Sequence, residues 1–195
     1  LNKVDPSSPR NIISAWAEPY MYDSEGTVQL GKHLTTEEGV SGVHTTRVGR
    51  WYKSWIAARE PLDGRAYAWA PVGLAGMWFC RGNFVEEVPY DPRIPWNGEE
   101  FLLSLRAYCA GWRIYGVDDV FIYHNYERHG NARVWEDNPE WEQLQSVALQ
   151  VQDRILNMRE PEPYGLKSKY YYGEFMNRVQ INNFGKHASR FANDP

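Results

Sequence analysis

The chain has 195 residues, of which 43% are hydrophobic and 24% charged, so a packed core is affordable and wholesale disorder is excluded. A net charge of −4, a pI near 5.8 and the lack of any Lys/Arg run leave no basic face for nucleic acid. Two cysteines, Cys80 and Cys109, are too few for a disulfide framework and have no zinc-type pairing, so a reducing, cytoplasmic setting is expected.

The longest apolar stretch, residues 66–79, is interrupted by Pro71, Gly73 and Gly76 and is too short to span a membrane. The chain opens on Leu1 with no initiator Met and no signal peptide, so its natural start is expected further upstream. Nine Trp and thirteen Tyr stand out. Such rings serve a core, and they also suit stacking against sugars or peptides.

In chain order, residues 2–10 read as a loop. Residues 11–16 form a short β-like run ended by Pro19. Residues 22–49 read as a loop-rich hairpin region, with weak strand signals at Val28, Leu30, Val40 and Val43. Residues 51–58 and 66–79 are aromatic and apolar, with turn signals at Pro61, Gly64 and Pro71.

Residues 88–95 are extended, because each proline disfavours the helical region for the residue before it. Asn97-Gly98 is a turn, and a helix is predicted from Glu99 to about Ala110. Phe101, Leu102, Leu105, Tyr108 and Cys109 fall on one face of it. Glu99 and Glu100 occupy its first turn, where carboxylates complement the helix dipole, and Gly111 can stop it. Glu99 and Arg106 are read on one stripe away from the apolar face.

Residues 112–116 and 120–123 read as two short strands around Asp118-Asp119. A second helix is predicted from Pro139 to Met158, capped by Asp137 or Asn138, with Trp141, Leu144, Val147, Ala148, Val151, Ile155 and Met158 on its apolar face. The remaining tail is aromatic and basic. The alternation of strands and helices predicts an α/β domain. Residues 1–160 are assigned to it, and residues 161–195 to a tail packing on it.

Several segments in fixed order carry a family likeness: Gly76-Met77-Trp78-Phe79, Glu87-Val88-Pro89-Tyr90-Asp91-Pro92, Gly98-Glu99-Glu100 with Arg106, Gly111-Trp112, and Tyr123-His124 with Arg128. Arg154-Ile155-Leu156 and Tyr164-Gly165-Leu166 extend it, and residues 13–20 look like a degraded Ser-Ala-Tyr-Pro segment. Together they resemble the GlcNAc-type glycosyltransferases that act on hydroxyproline in cytoplasmic proteins. A looser likeness to the polypeptide GalNAc-transferases covers only Gly98 through Arg128.

The resemblance implies a GT-A architecture and retaining transfer of a sugar, N-acetylglucosamine in the first instance. It implies a UDP-sugar donor, a divalent cation (Mn2+ or Mg2+) and a protein or glycan acceptor. The cation neutralises the departing diphosphate, and carboxylates hold the reacting hydroxyls. His124 matches the family's metal-binding His. The alternative is a histidine satisfied by a carbonyl.

Glu99, Glu100 and Asp91 are the catalytic candidates. Dipole-favoured placement is the alternative for the two glutamates, and fixing a turn is the alternative for Asp91. Arg128 and Trp96 are the donor-binding candidates. Arg128 would meet the diphosphate or else form a surface ion pair. Trp96, like Trp78, is a candidate sugar-stacking platform or a packed core ring.

Two departures stand against this. No Asp-x-Asp occurs anywhere, since Asp118 and Asp119 are adjacent. The resemblance places the nucleotide-binding half, with Asp-x-Asp, on the N-terminal side, so an upstream segment or a second chain is expected to supply it. The family's tail pattern is altered to Leu166-Lys167-Ser168-Lys169-Tyr170. The competing expectation is a non-catalytic carbohydrate-binding or interaction module derived from a transferase.

Overall fold

A computed structural model describes residues 8–31, 40–48, 51–60, 67–70, 72–73, 75–117, 122–127, 130 and 132–179. Asp118, Asp119, residues 120–121 of the strand predicted at 120–123, Arg128 and the tail beyond residue 179 lie outside these residues.

The architecture is mixed α/β. Strand β1 (Asn11–Ala15) lies inside a four-stranded sheet ordered β6-β8-β1-β7, with β6 at Tyr67–Trp69, β7 at Met77–Cys80 and β8 at Arg113–Val117. It runs parallel to β8, pairing Ile12 with Ile114, and antiparallel to β7, pairing Ser14 with Trp78. Two residues later the chain re-enters strand geometry as β2 (Glu18–Tyr22). A second sheet forms in the order β3-β2-β9, with β3 at Val28–Leu30 and β9 at Tyr123–Asn125. Pro19 was read as a stop. Instead it is the second residue of β2, within a three-stranded sheet whose β9 partner runs parallel. The β2–β3 turn is closed by Asp23, whose Oδ1 accepts from the N–H groups of Glu25 and Thr27. A hairpin of β4 (Val40–Val48) and β5 (Trp51–Glu60) makes the third sheet.

Five helices complete the described elements: α1 (Phe84–Glu87), α2 (Glu99–Cys109), α3 (Val134–Asp137), α4 (Trp141–Leu156) and α5 (Lys169–Val179). Helix α2 ends as its sequence requires. Gly111 adopts φ 86°, its N–H donates to Tyr108 O at 3.0 Å, and Trp112 N–H reaches Ala107 O at 2.9 Å. That is a Schellman ending, open to glycine because no Cβ opposes a left-handed φ.

Two expectations about the helices are corrected. Helix α4 begins at Trp141 and not at Pro139, because the Asn138 side chain accepts from Glu140 N–H at 3.0 Å and forms a turn. The same turn separates α4 from the short α3, which the periodicity did not show. Of its predicted apolar face, Ala148, Val151 and Ile155 are buried, while Val147 and Met158 are exposed. The other correction concerns α2, which is buried on nearly every side, with Phe101, Leu102, Ser104, Leu105, Arg106, Ala107, Tyr108 and Cys109 all enclosed. Glu99 and Arg106 do share one stripe, both lining the same cleft, but that stripe is covered and Arg106 is only 3% exposed.

Helix α2 is enclosed because it separates two cores. Leu102, Leu105 and Tyr108 meet Ala148, Val151 and Ile155 of α4 and Phe175 and Val179 of α5. Ala107 belongs to a second cluster with Ile12, Ile114, Phe84, Val88 and Trp112. Trp112 is fully buried, packs edge-on to Phe84 at 5.1 Å, and donates its indole N–H to Glu87 Oε2 at 3.1 Å. Trp112→Ala should therefore cost about 3–5 kcal/mol, through lost transfer energy and the cavity left behind. Urea unfolding measures it, and a loss under about 1 kcal/mol would mean the second cluster is not a cohesive core.

Candidate active site

The N-terminus of α2 is the place where sequence and geometry converge. Gly98 precedes it at φ 84°, and its carbonyl accepts Leu102 N–H at 2.9 Å. Gly98 has no side chain to cap the helix; the Glu99 N–H reaches Trp96 O at 3.5 Å, and the Glu99 carboxyl takes hydrogen bonds from the backbone at Glu99 and Glu100. Glu99 and Glu100 stand there, both partly buried.

Burial raises both carboxyls. Glu99 is pushed up to about 7 by burial first and by the Glu100 charge second. Glu100 is pushed up to about 7 by burial, against a stabilising hydrogen bond from Ala75 N–H to its Oε1 at 2.7 Å. Both groups thus change charge near neutrality, which suits a group that must give and take a proton.

The two are not equivalent. Glu100 is tied to the turn ahead of β7, and its own carbonyl accepts Ser104 Oγ–H at 2.6 Å. Ser104 Oγ in turn accepts Gly73 N–H at 3.0 Å. Glu99 instead lines a narrow cleft of about 10 Å³, room for a single water, with Tyr90, Asp91, Ile94, Leu102, Leu103 and Arg106. The Tyr90 hydroxyl donates to Ile94 O at 3.2 Å. Burial pushes that phenol up to about 12, helped by the charges of Glu99, Asp91 and Glu100, so it stays protonated.

Asp91 lines the same cleft but is engaged. Its Oδ1 accepts both the backbone N–H and the Nε–H of Arg93, at 3.0 and 2.9 Å, and its Oδ2 accepts Nη2–H at 2.8 Å. Of the two alternatives for Asp91, these bonds favour the turn. Arg93 continues to Glu160 Oε1 at 2.6 Å, and Glu160 Oε2 accepts Arg154 Nε–H at 2.6 Å. This network pins residues 88–95 to the end of α4. Arg106 pins them from the other side, donating to Pro89 O at 2.8 Å and Pro163 O at 3.0 Å. Its guanidinium lies 5.5 Å from the Tyr164 ring centre, beside Arg93 at 4.9 Å.

The other candidates lie elsewhere. His124 is exposed on β9, opposite Pro19, with its ring 4.5 Å from Tyr126, and no residue of 122–127 lines the cleft. Trp78 packs its ring against Phe84 at 5.7 Å and closes over Gly73, which matches the packed-ring alternative. Trp96, by contrast, is 45% exposed beside the α2 N-terminus. Arg128, Asp118 and Asp119 lie outside the described residues. Tyr90 entered the sequence reading only as a family position, and Arg106 as a family position on one helix stripe with Glu99. Their place in the cleft depends on Pro89, Pro163 and Tyr164, which are far apart in the chain.

Both thiols are free. Burial raises the Cys80 thiol and pushes Cys109 up to about 12. Among the described residues, no helix is long and apolar enough to cross a membrane.

A comparison with protein-family models matches the family described as Glycosyltransferase (GlcNAc) over residues 4–190, and the chain belongs to that family. No curated protein and no solved structure matches it.

Proposed function

We propose that this member of the glycosyltransferase (GlcNAc) family transfers N-acetylglucosamine from a UDP-sugar to an acceptor hydroxyl, with retention of configuration, within a GT-A-type domain. The observation that carries the reading is the Glu99–Glu100 pair at the N-terminus of α2, with both carboxyls raised to about 7. In the transfer, the bond from the sugar C1 to the diphosphate oxygen breaks and a bond from C1 to the acceptor oxygen forms on the same face of the sugar, as retention requires. The acceptor must shed its hydroxyl proton. Glu99, ionised, takes that proton and orients the oxygen; Glu100 holds the turn at Ala75 and tunes Glu99 through its charge. Asp91 and Tyr90 shape the opposite wall of the cleft.

The family resemblance implies Mn2+ or Mg2+ with His124 as a ligand. Among the described residues no three His, Cys, Asp or Glu groups come together to hold an ion, and His124 packs against Tyr126. The described residues do not fit a complete cation site, so no step is assigned to a cation. The donor side, with Arg128 and an Asp-x-Asp from an upstream segment or second chain, belongs to the same proposal.

A binding result follows. The 195-residue chain alone has no Asp-x-Asp, so it should hold UDP-sugar no tighter than about 1 mM, whether or not Mn2+ is added. Calorimetry finding tight, metal-dependent UDP binding by this chain would show that the donor site is already present in it. For the reaction itself, the complete protein is assayed with radiolabelled UDP-N-acetylglucosamine, and the anomeric configuration of the product is read by NMR. An inverted product, or transfer indifferent to Glu99→Gln, would overturn the reading.

A further inference from the structure

Three tryptophans meet beside the α2 N-terminus although they come from three different elements. Trp96 lies in the turn before α2, and its carbonyl accepts Glu99 N–H at 3.5 Å. Its ring stands 5.6 Å from Trp135 of α3, inclined at 61°, and Trp135 stands 6.2 Å from Trp141 of α4, inclined at 45°. The rings are tilted and not stacked face to face, so they form an open corner. Trp96 keeps 45% of its surface exposed. Arg133, with its side chain 49% exposed, spans Trp135 at 5.3 Å, and its charge is offset by Glu136 at 4.0 Å.

The polar rim is specific. The Asn97 amide donates to Gln145 Oε1 at 2.6 Å, and Gln145 lies one turn beyond Trp141 on α4. That leaves the buried Gln145 Nε2 unpaired among the described residues.

We propose that this corner is an acceptor subsite for a pyranose ring, so that the acceptor is itself a glycan. The proposal rests on the transferase reading above. An electrically balanced aromatic corner with the Arg133 guanidinium at its rim matches a neutral ring that has apolar C–H faces and hydroxyl edges. Trp96 is three residues before Glu99 and its carbonyl accepts the Glu99 N–H, so the corner adjoins the start of the helix that carries Glu99.

The test separates binding from turnover. The complete protein is titrated by calorimetry and tryptophan fluorescence with chitotetraose, cellotetraose and xylotetraose, and with a decaproline peptide as the competing class. At least one saccharide should bind, and Trp96→Ala and Trp135→Ala should each weaken it roughly tenfold, with Trp96→Phe recovering part. With that saccharide as acceptor, both alanine variants should raise KM by a similar factor and hold kcat within about twofold. Near-UV circular dichroism and thermal melting check that each variant folds. Binding of decaproline with no saccharide bound, or a saccharide affinity indifferent to both substitutions, overturns the proposal. Glu99→Gln serves as the control: it should lower turnover by roughly 10²–10⁴-fold while leaving saccharide affinity intact, so failure of the catalytic reading would be seen separately.

Discussion

Glu99→Gln is expected to lower turnover of the complete protein by roughly 10²–10⁴-fold, the range of a lost general base. The parent should gain activity as pH rises through about 7, where Glu99 sheds its proton. Glu100→Gln should behave differently. Its amide oxygen can still accept from Ala75 N–H, so the turn survives, but the like charge that helps raise Glu99 is gone. The midpoint of the activity rise should then move towards acid, with a smaller loss of turnover. Equal losses in both variants, or an unmoved midpoint, would refute this division of roles.

The same pair predicts the direction of stability. Both carboxyls hold their protons more tightly folded than unfolded, about 7 against 4.5. Between those values the folded chain binds more protons, so the free energy of unfolding falls as pH rises. The stability is complete below about pH 4.5 and is lost through pH 7. One pKa unit is worth about 1.4 kcal/mol, and the two groups interact, so Glu100→Gln should exceed the parent at pH 8 by about 1–3 kcal/mol. At pH 4 the two should melt alike. Thermal melts across that range read it directly.

The sequence was informative wherever the signal was local. Helix α2 runs from Glu99 to Cys109 because its apolar residues repeat at helical spacing and Gly111 ends it through backbone geometry that glycine alone adopts easily. The two glutamates could be found for the same reason, since a turn residue followed by paired carboxylates marks a helix start. Burial was not legible. Nothing within residues 99–109 shows that α4 and α5 close on one side of the helix and the β1–β8 layer on the other. Arg106 was consequently read on a stripe away from the apolar face, although it is enclosed. Helix α3 was hidden by its four-residue length, and β2 by Pro19. The absence of His124 from the cleft that holds Glu99 is likewise set by the pairing of β9 with β2 and not by any local pattern.

Arg106→Ala should be the most damaging single change at the cleft that does not touch a reacting atom. The guanidinium is 3% exposed and bridges Pro89 O and Pro163 O, two carbonyls 74 positions apart in the chain. Truncation strands both acceptors and removes the cation facing Tyr164, so unfolding should become easier by about 3–5 kcal/mol. Arg106→Lys should recover only part, because one ammonium cannot reproduce a fork that reaches two separate carbonyls. The residual fold can persist, since Arg93, Glu160 and Arg154 still fasten residues 88–95 to the end of α4. With one of two anchors gone, the cleft wall loosens and water reaches Glu99. Burial is the main cause of its raised pKa, so the activity midpoint of Arg106→Ala should fall from about 7 towards the ordinary carboxylate range. Urea unfolding and a pH–rate profile on the same sample test both claims. A loss of stability with an unshifted midpoint would mean that Arg106 supports the fold without shaping the cleft.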